Sequence, residues 1–181
     1  MRWLLLTTAL LSACSTLPPT ERTPFLPAGE FGILGDNDVG ALNFSAWAFA
    51  APANTRDNPV DAVRAAIALE YLPGELRENP RWIGMDPGVN ANMAAARDQL
   101  RQVLGIRPDA PPQAVVNTLL ALSANLEDGN QPAVAALLNT PIFILPPEQT
   151  LRVLTNLPYI AKANFATASA VSQMYPGGGR G

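Results

Sequence analysis

Through most of the chain, apolar residues return at three- and four-residue steps, the period of helices that bury one face. The clearest run opens at Asn58-Pro59, a capping side chain followed by proline at the first helical position, where the missing N–H removes no hydrogen bond. Val60, Val63, Ile67 and Tyr71 then share a stripe, Asp61, Arg64 and Glu70 lie mostly off it, and Pro73-Gly74 is expected to end the helix. A polar link follows, containing Asn79-Pro80, Trp82-Ile83-Gly84 and Asp86-Pro87-Gly88. The pattern predicts a second helix over about 92–104, with Met93, Ala96, Leu100, Val103 and Leu104 on its apolar face and Gly105 as its C-cap. A third, over 111–126, carries Val115, Val116, Leu119, Leu120 and Leu122; it is the most apolar element and is expected at the centre of the fold. Shorter helices are predicted over 132–139 and 148–156, and a sixth, rich in Ala, Ser and Thr, over 158–174.

Period alone does not assign three other stretches. In residues 42–50 both alternating sets contain apolar side chains, and because Ala is poor in strands a short buried helix is preferred. Ile142-Phe143-Ile144-Leu145, closed by Pro146-Pro147, reads as a buried extended connector. The glycine-rich stretch 25–40 reads as irregular, with a short strand around Phe31-Gly32-Ile33-Leu34. About six helical segments joined by short Pro/Gly links, with no strong strand signal, predict an all-α fold: a small helical bundle.

The N-terminus has a different pattern. Arg2 precedes the apolar run from Trp3 to Leu11, and small residues lead to Cys14. A charged start, an apolar middle and a small-residue end are the layout of a secretory signal peptide, and the run falls short of the roughly 20 apolar residues that span a bilayer. Leu11-Ser12-Ala13-Cys14 resembles the lipobox of bacterial lipoprotein signal peptides. That resemblance implies attachment of a diacylglyceryl group to Cys14, cleavage before it, and commonly an added N-acyl chain, which together give the two signals that stable membrane anchoring requires. Cys14 is the single cysteine of the chain, so it has no intramolecular disulfide partner. Ser15 is not the aspartate that retains enterobacterial lipoproteins at the inner membrane, which by analogy favours the periplasmic face of the outer membrane. The expected organisation is therefore a signal peptide over 1–13, an acylated and Pro/Ser/Thr-rich irregular tether over 14–40, a helical domain over 41–175 and a flexible Gly-rich tail over 176–181.

Apolar residues make up 48% of the chain, enough for a core, but charged residues only 15%, below the roughly 25% of ordinary soluble domains. That deficit reads either as a surface of uncharged polar residues or as an apolar face meeting a partner or the bilayer. Eleven Arg and one Lys are dispersed, and the net charge is −3, so no footprint for nucleic acid is present.

The absence of histidine excludes Ser-His-Asp and Cys-His catalysis, histidine-ligated zinc and a histidine base near neutral pH. Lys162, the only lysine, is preceded at the third position by Tyr159 rather than a serine, so it reads as a solvated helix residue. Asp36-Asn37-Asp38 resembles part of a calcium loop, but the twelfth position, where an EF-hand places glutamate, is Trp47. Gly177 to Gly181 lacks the Lys-Ser/Thr and helix of a phosphate loop. Paired carboxylates remain a formal route to glycan cleavage, with Glu70, Glu75, Glu78 and Asp86 as candidates and Trp82 as a stacking platform. A ligand or lipid pocket lined by Leu119, Leu120, Phe143 and Ile144 is the other alternative. The residues are best read as a non-enzymatic envelope lipoprotein without cofactor or metal, held to the membrane by lipid on Cys14, whose domain binds a protein partner or itself.

Overall fold

The computed structural model describes residues 22–32 and 36–175. Cys14, the signal peptide, the glycine tail and Ile33-Leu34 of the expected strand lie outside the described residues. Among the described residues the fold is all-α, with seven helices and no strand: α1 (Asn37–Ala50), α2 (Pro59–Glu78), α3 (Pro87–Leu104), α4 (Pro112–Glu127), α5 (Gln131–Leu138), α6 (Pro147–Thr155) and α7 (Ala161–Met174). Single 3₁₀ turns follow α1 and α2. The stretch 42–50 is helical, and the connector at Ile142 is extended: Arg107 N–H donates to Ile142 O (2.9 Å) and Ile144 N–H to Gly105 O (2.7 Å) around an isolated antiparallel bridge between Ile106 and Phe143.

Helix α2, not α4, is the centre. It packs against α1, α3, α4 and α6. Every residue from Ala65 to Leu76 is buried, the mark of a helix enclosed on all sides. Alanines at 62, 65, 66 and 68 thin its surface and let neighbouring helices approach from several directions at once. The α4 sequence is more apolar, yet it buries one face only, through Val115, Val116, Leu119 and Leu122.

Two boundaries depart from the expectation. Helix α2 runs through Pro73-Gly74 to Glu78. A mid-helix proline destabilises by about 3 kcal/mol, but burial of Leu72 and Leu76 on either side holds the helix in register. Helix α3 starts at Pro87, because Asp86 is its cap, its Oδ1 accepting from Gly88 N–H at 2.7 Å. At its other end Gly105 adopts φ +68°, the left-handed cap expected there, and a Cβ at 105 would overlap the Leu145 side chain.

The segment read as tether joins the domain well before residue 41. Pro24 and Leu26 are buried, and Thr23 donates from its N–H and Oγ1 to Glu78 Oε2 (3.2 and 2.7 Å). Phe25 exchanges two backbone hydrogen bonds with the Gln113 amide on α4. Gly74 makes this docking feasible: a Cβ there would sit 2.7 Å from Thr23 Cα.

Inside the core, Arg101 forks onto Glu70 (Nε–Oε1 2.8 Å, Nη2–Oε2 2.6 Å), with both side chains 2% exposed or less. Its Nη1 closes the 107–110 loop by donating to Pro108 O and Ala110 O, each at 3.0 Å. No helix of the described residues is long and apolar enough to cross a membrane.

Candidate functional site

Three parts of the chain meet at a cleft of about 590 Å³: the N-terminal segment Thr23 to Leu26, the start of α1, and the last turns of α2 with the 3₁₀ turn beyond it. Asp36 is the N-cap of α1, its side chain accepting from Val39 N–H, and Asp38 sits in the first turn, where the helix dipole favours an acid. Tyr71 and Glu75 stand four residues apart on α2 and so face the same way. Arg81 is delivered by the 3₁₀ turn that Asn79 caps.

Tyr71 Oη donates to Asp38 Oδ1 at 2.5 Å, and Asn79 Nδ2 donates to Glu75 Oε1 at 2.5 Å. Glu75 also lies within hydrogen-bonding reach of Asp38 and Tyr71. Arg81 Nη1 contacts both Asp36 oxygens (3.0 and 2.8 Å) and reaches Asp38 Oδ2 at 3.6 Å. Burial pushes the Glu75 carboxyl above the usual carboxylate range, and the Asp38 charge pushes it further, against the opposing Asn79 bond. Burial first, then the bond to Asp38, raises the Tyr71 phenol far above its ordinary value. The Arg81 bond holds Asp36 below its ordinary value. The cleft therefore presents two neighbouring carboxyl groups, a phenol and a guanidinium committed to Asp36.

The acids singled out for glycan cleavage do not converge. Glu70 is in the core with Arg101. Glu78 ties Thr23 and Arg77, whose bonds hold it down to about 2. Asp86 caps α3. Only Glu75 reaches the cleft, where its neighbour is Asp38, a residue that the sequence offers only in an incomplete match to a calcium loop. Trp82 packs half-buried on the core beneath the Arg81 guanidinium (5.0 Å), with its Nε1 buried and lacking an acceptor.

The residues proposed to line an apolar pocket also separate. Leu119 is sealed in the core, while Ile144 is exposed. Leu120 borders a polar depression with Glu30, Arg64 and Glu127, in which the Arg64 guanidinium lies over Phe44 (4.8 Å) and Phe31 (5.6 Å). Lys162 is exposed at the start of α7. No group of three or more acids, histidines or cysteines able to hold a metal ion occurs among the described residues. The pairing of Asp38 with Glu75 left one local trace in the sequence, the Tyr71–Glu75 spacing; the rest depends on contacts between residues 33 to 45 positions apart. Comparison with protein-family models, with curated proteins and with solved structures found no match.

Proposed function

We propose that the chain is a bacterial envelope lipoprotein, anchored by lipid on Cys14 at the periplasmic face of the outer membrane, whose helical domain binds a protein partner or itself and catalyses nothing. The observation that carries this reading is Leu11-Ser12-Ala13-Cys14, placed directly after a short apolar run and using the only cysteine of the chain. The absence of histidine and the dispersal of Glu70, Glu78 and Asp86 into structural roles support the non-enzymatic part.

The anchor is tested by feeding cells an alkyne-bearing fatty acid and reading incorporation on a gel. Wild-type protein takes up label and partitions with membranes, and the Cys14→Ala chain does neither. Label retained by Cys14→Ala, or absent from both, overturns the anchor. The interaction is tested by crosslinking in native membranes followed by mass spectrometry, with Cys14→Ala as the control. A protein that remains strictly monomeric and captures nothing overturns that half.

A further inference from the structure

We propose that the end of the domain where the N-terminal segment enters, carrying Phe25, Ile83 and a group of arginines, rests on the phospholipid surface. This rests on the anchoring of Cys14 proposed above and names which face of the domain the bilayer covers.

The first argument is reach. Seven residues lie between Cys14 and Arg22, eight Cα–Cα steps, so the chain between them extends at most about 29 Å. A compact body of this size is about 38 Å across. To set the opposite pole on the bilayer, the connecting chain would have to pass around half the circumference, roughly 60 Å. The pole opposite Arg22 is thus out of reach, and the face that meets the membrane lies on the half of the domain around Arg22.

The second argument is what that surface carries. Among the described residues, the two most exposed large apolar side chains are Ile83 at 85% and Phe25 at 74%. Both lie at this end. Phe25 is two residues beyond Thr23, which bonds to Glu78, and Ile83 is five beyond Glu78. Phe25 also shares the cleft wall with Arg81, two residues before Ile83. Exposed apolar side chains gathered at one place mark contact with a partner or a membrane.

Charge agrees with a headgroup region. Arg22, Arg77 and Arg97 line one depression beside the entering segment, and Arg81 borders the cleft on its other side. Glu78, Asp98 and Asp36 pair with three of these arginines. The face is thus close to neutral, which lets it approach phosphate and choline groups without strong repulsion. Seating comes mainly from Phe25 and Ile83 entering the boundary between headgroups and acyl chains.

The test uses the full chain, expressed with its signal, purified in lipidated form and reconstituted into phosphatidylcholine–phosphatidylglycerol vesicles. Because acylation consumes Cys14, an introduced cysteine is the only reactive thiol. An environment-sensitive fluorophore is placed at Phe25→Cys, at Ile83→Cys and at Gln131→Cys. Gln131 is exposed and follows α4, which begins at the Phe25 end and runs for about 24 Å away from it. All three sites are exposed, and circular dichroism verifies the fold of each variant. The expected result is a several-fold rise in emission and strong quenching by spin-labelled lipid at 25 and 83, with neither at 131. Three positions reading alike in acylated protein overturn this proposal and leave the anchor standing. An intact mass showing unmodified Cys14 overturns both. Emission at 25 and 83 that rises with protein concentration in detergent, without vesicles, shows a second copy covering the face and also overturns it.

Discussion

Replacing Arg101 with methionine tests the energetic centre of the fold. The substitution keeps most of the side-chain volume, so the cavity contribution is small. It removes both guanidinium bonds to Glu70, whose side chain is only 1% exposed. Breaking one partner out of a buried pair typically costs about 3–5 kcal/mol. The carboxylate's share has a ceiling, because a sufficiently penalised carboxylate takes up a proton. From an unfolded value near 4.3, that ceiling is about 3.7 kcal/mol at pH 7 and about 1 kcal/mol at pH 5. The Ala110 carbonyl, buried and deprived of its Nη1 donor, adds about 1–3 kcal/mol. Pro108 is itself exposed, so its carbonyl can take water in place of the lost donor. The sum is about 4–6 kcal/mol at pH 7, or a midpoint lowered by roughly 10–20 °C. Urea unfolding followed by circular dichroism at both pH values measures it. The expected loss is smaller at pH 5 by about 2–3 kcal/mol. A loss below about 1 kcal/mol at pH 7, or equal losses at the two pH values, would refute the reasoning. The double variant Glu70→Met with Arg101→Met should recover most of the stability, since apolar side chains replace a buried pair with little penalty.

Other expectations follow from the cleft and its surroundings. Because the folded Glu75 carboxyl titrates above its unfolded value, its favourable contribution is complete below about pH 4.3 and fades as pH rises through the folded value. Glu75→Gln should therefore gain stability over wild type in neutral solution and not in acid; equal unfolding midpoints across pH 4 to 8 would contradict the raised titration. Glu78 has the opposite sign: held at about 2, it contributes above about pH 4.3 and loses that contribution as pH falls toward 2. Glu78→Gln should then differ from wild type at pH 7 and converge with it in acid, read from the same melts. Gly74→Ala should push Thr23 away and destabilise by about 1–3 kcal/mol, and limited proteolysis should then cut between Arg22 and Leu26; unchanged resistance there would argue against tight docking. Trp82→Phe removes a buried N–H that has no acceptor and should be neutral or stabilising by up to about 1 kcal/mol, and a clear loss in thermal melts would show that the indole nitrogen has a partner.

The clearest helices were legible in the sequence because an amphipathic period meets a recognisable cap, at Asn58-Pro59 for α2 and at Gly105 for α3. Their arrangement was less so. Average apolarity pointed to α4 as the central element, but a small side chain on every face governs how many neighbours a helix can hold, and that favoured α2. Pro73 looked like a stop because propensity is local, whereas the burial that carries α2 past it is tertiary. Asp86-Pro87-Gly88 reads as part of a polar link, yet the same residues serve equally as a cap and first turn. The cleft was the least legible feature. Its acids lie apart in sequence, and nothing at Asp38 itself announces Glu75 as its partner.

One segment connects these observations. Thr23 to Leu26 fills the notch that Gly74 leaves on α2, is tied to Glu78 and Gln113, and forms one wall of the acidic cleft. The cleft therefore exists in this shape only while the segment is docked. The ties are two hydrogen bonds to one exposed carboxylate and two to one amide, together with the buried Pro24 and Leu26. Such a small set of contacts releases at a fraction of the free energy of global unfolding. On the anchoring proposed for Cys14, the same segment is also the only covalent link between lipid and domain. Tension between membrane and domain would then act first on the cleft wall, whereas the Arg101–Glu70 pair ties α2 to α3 inside the core.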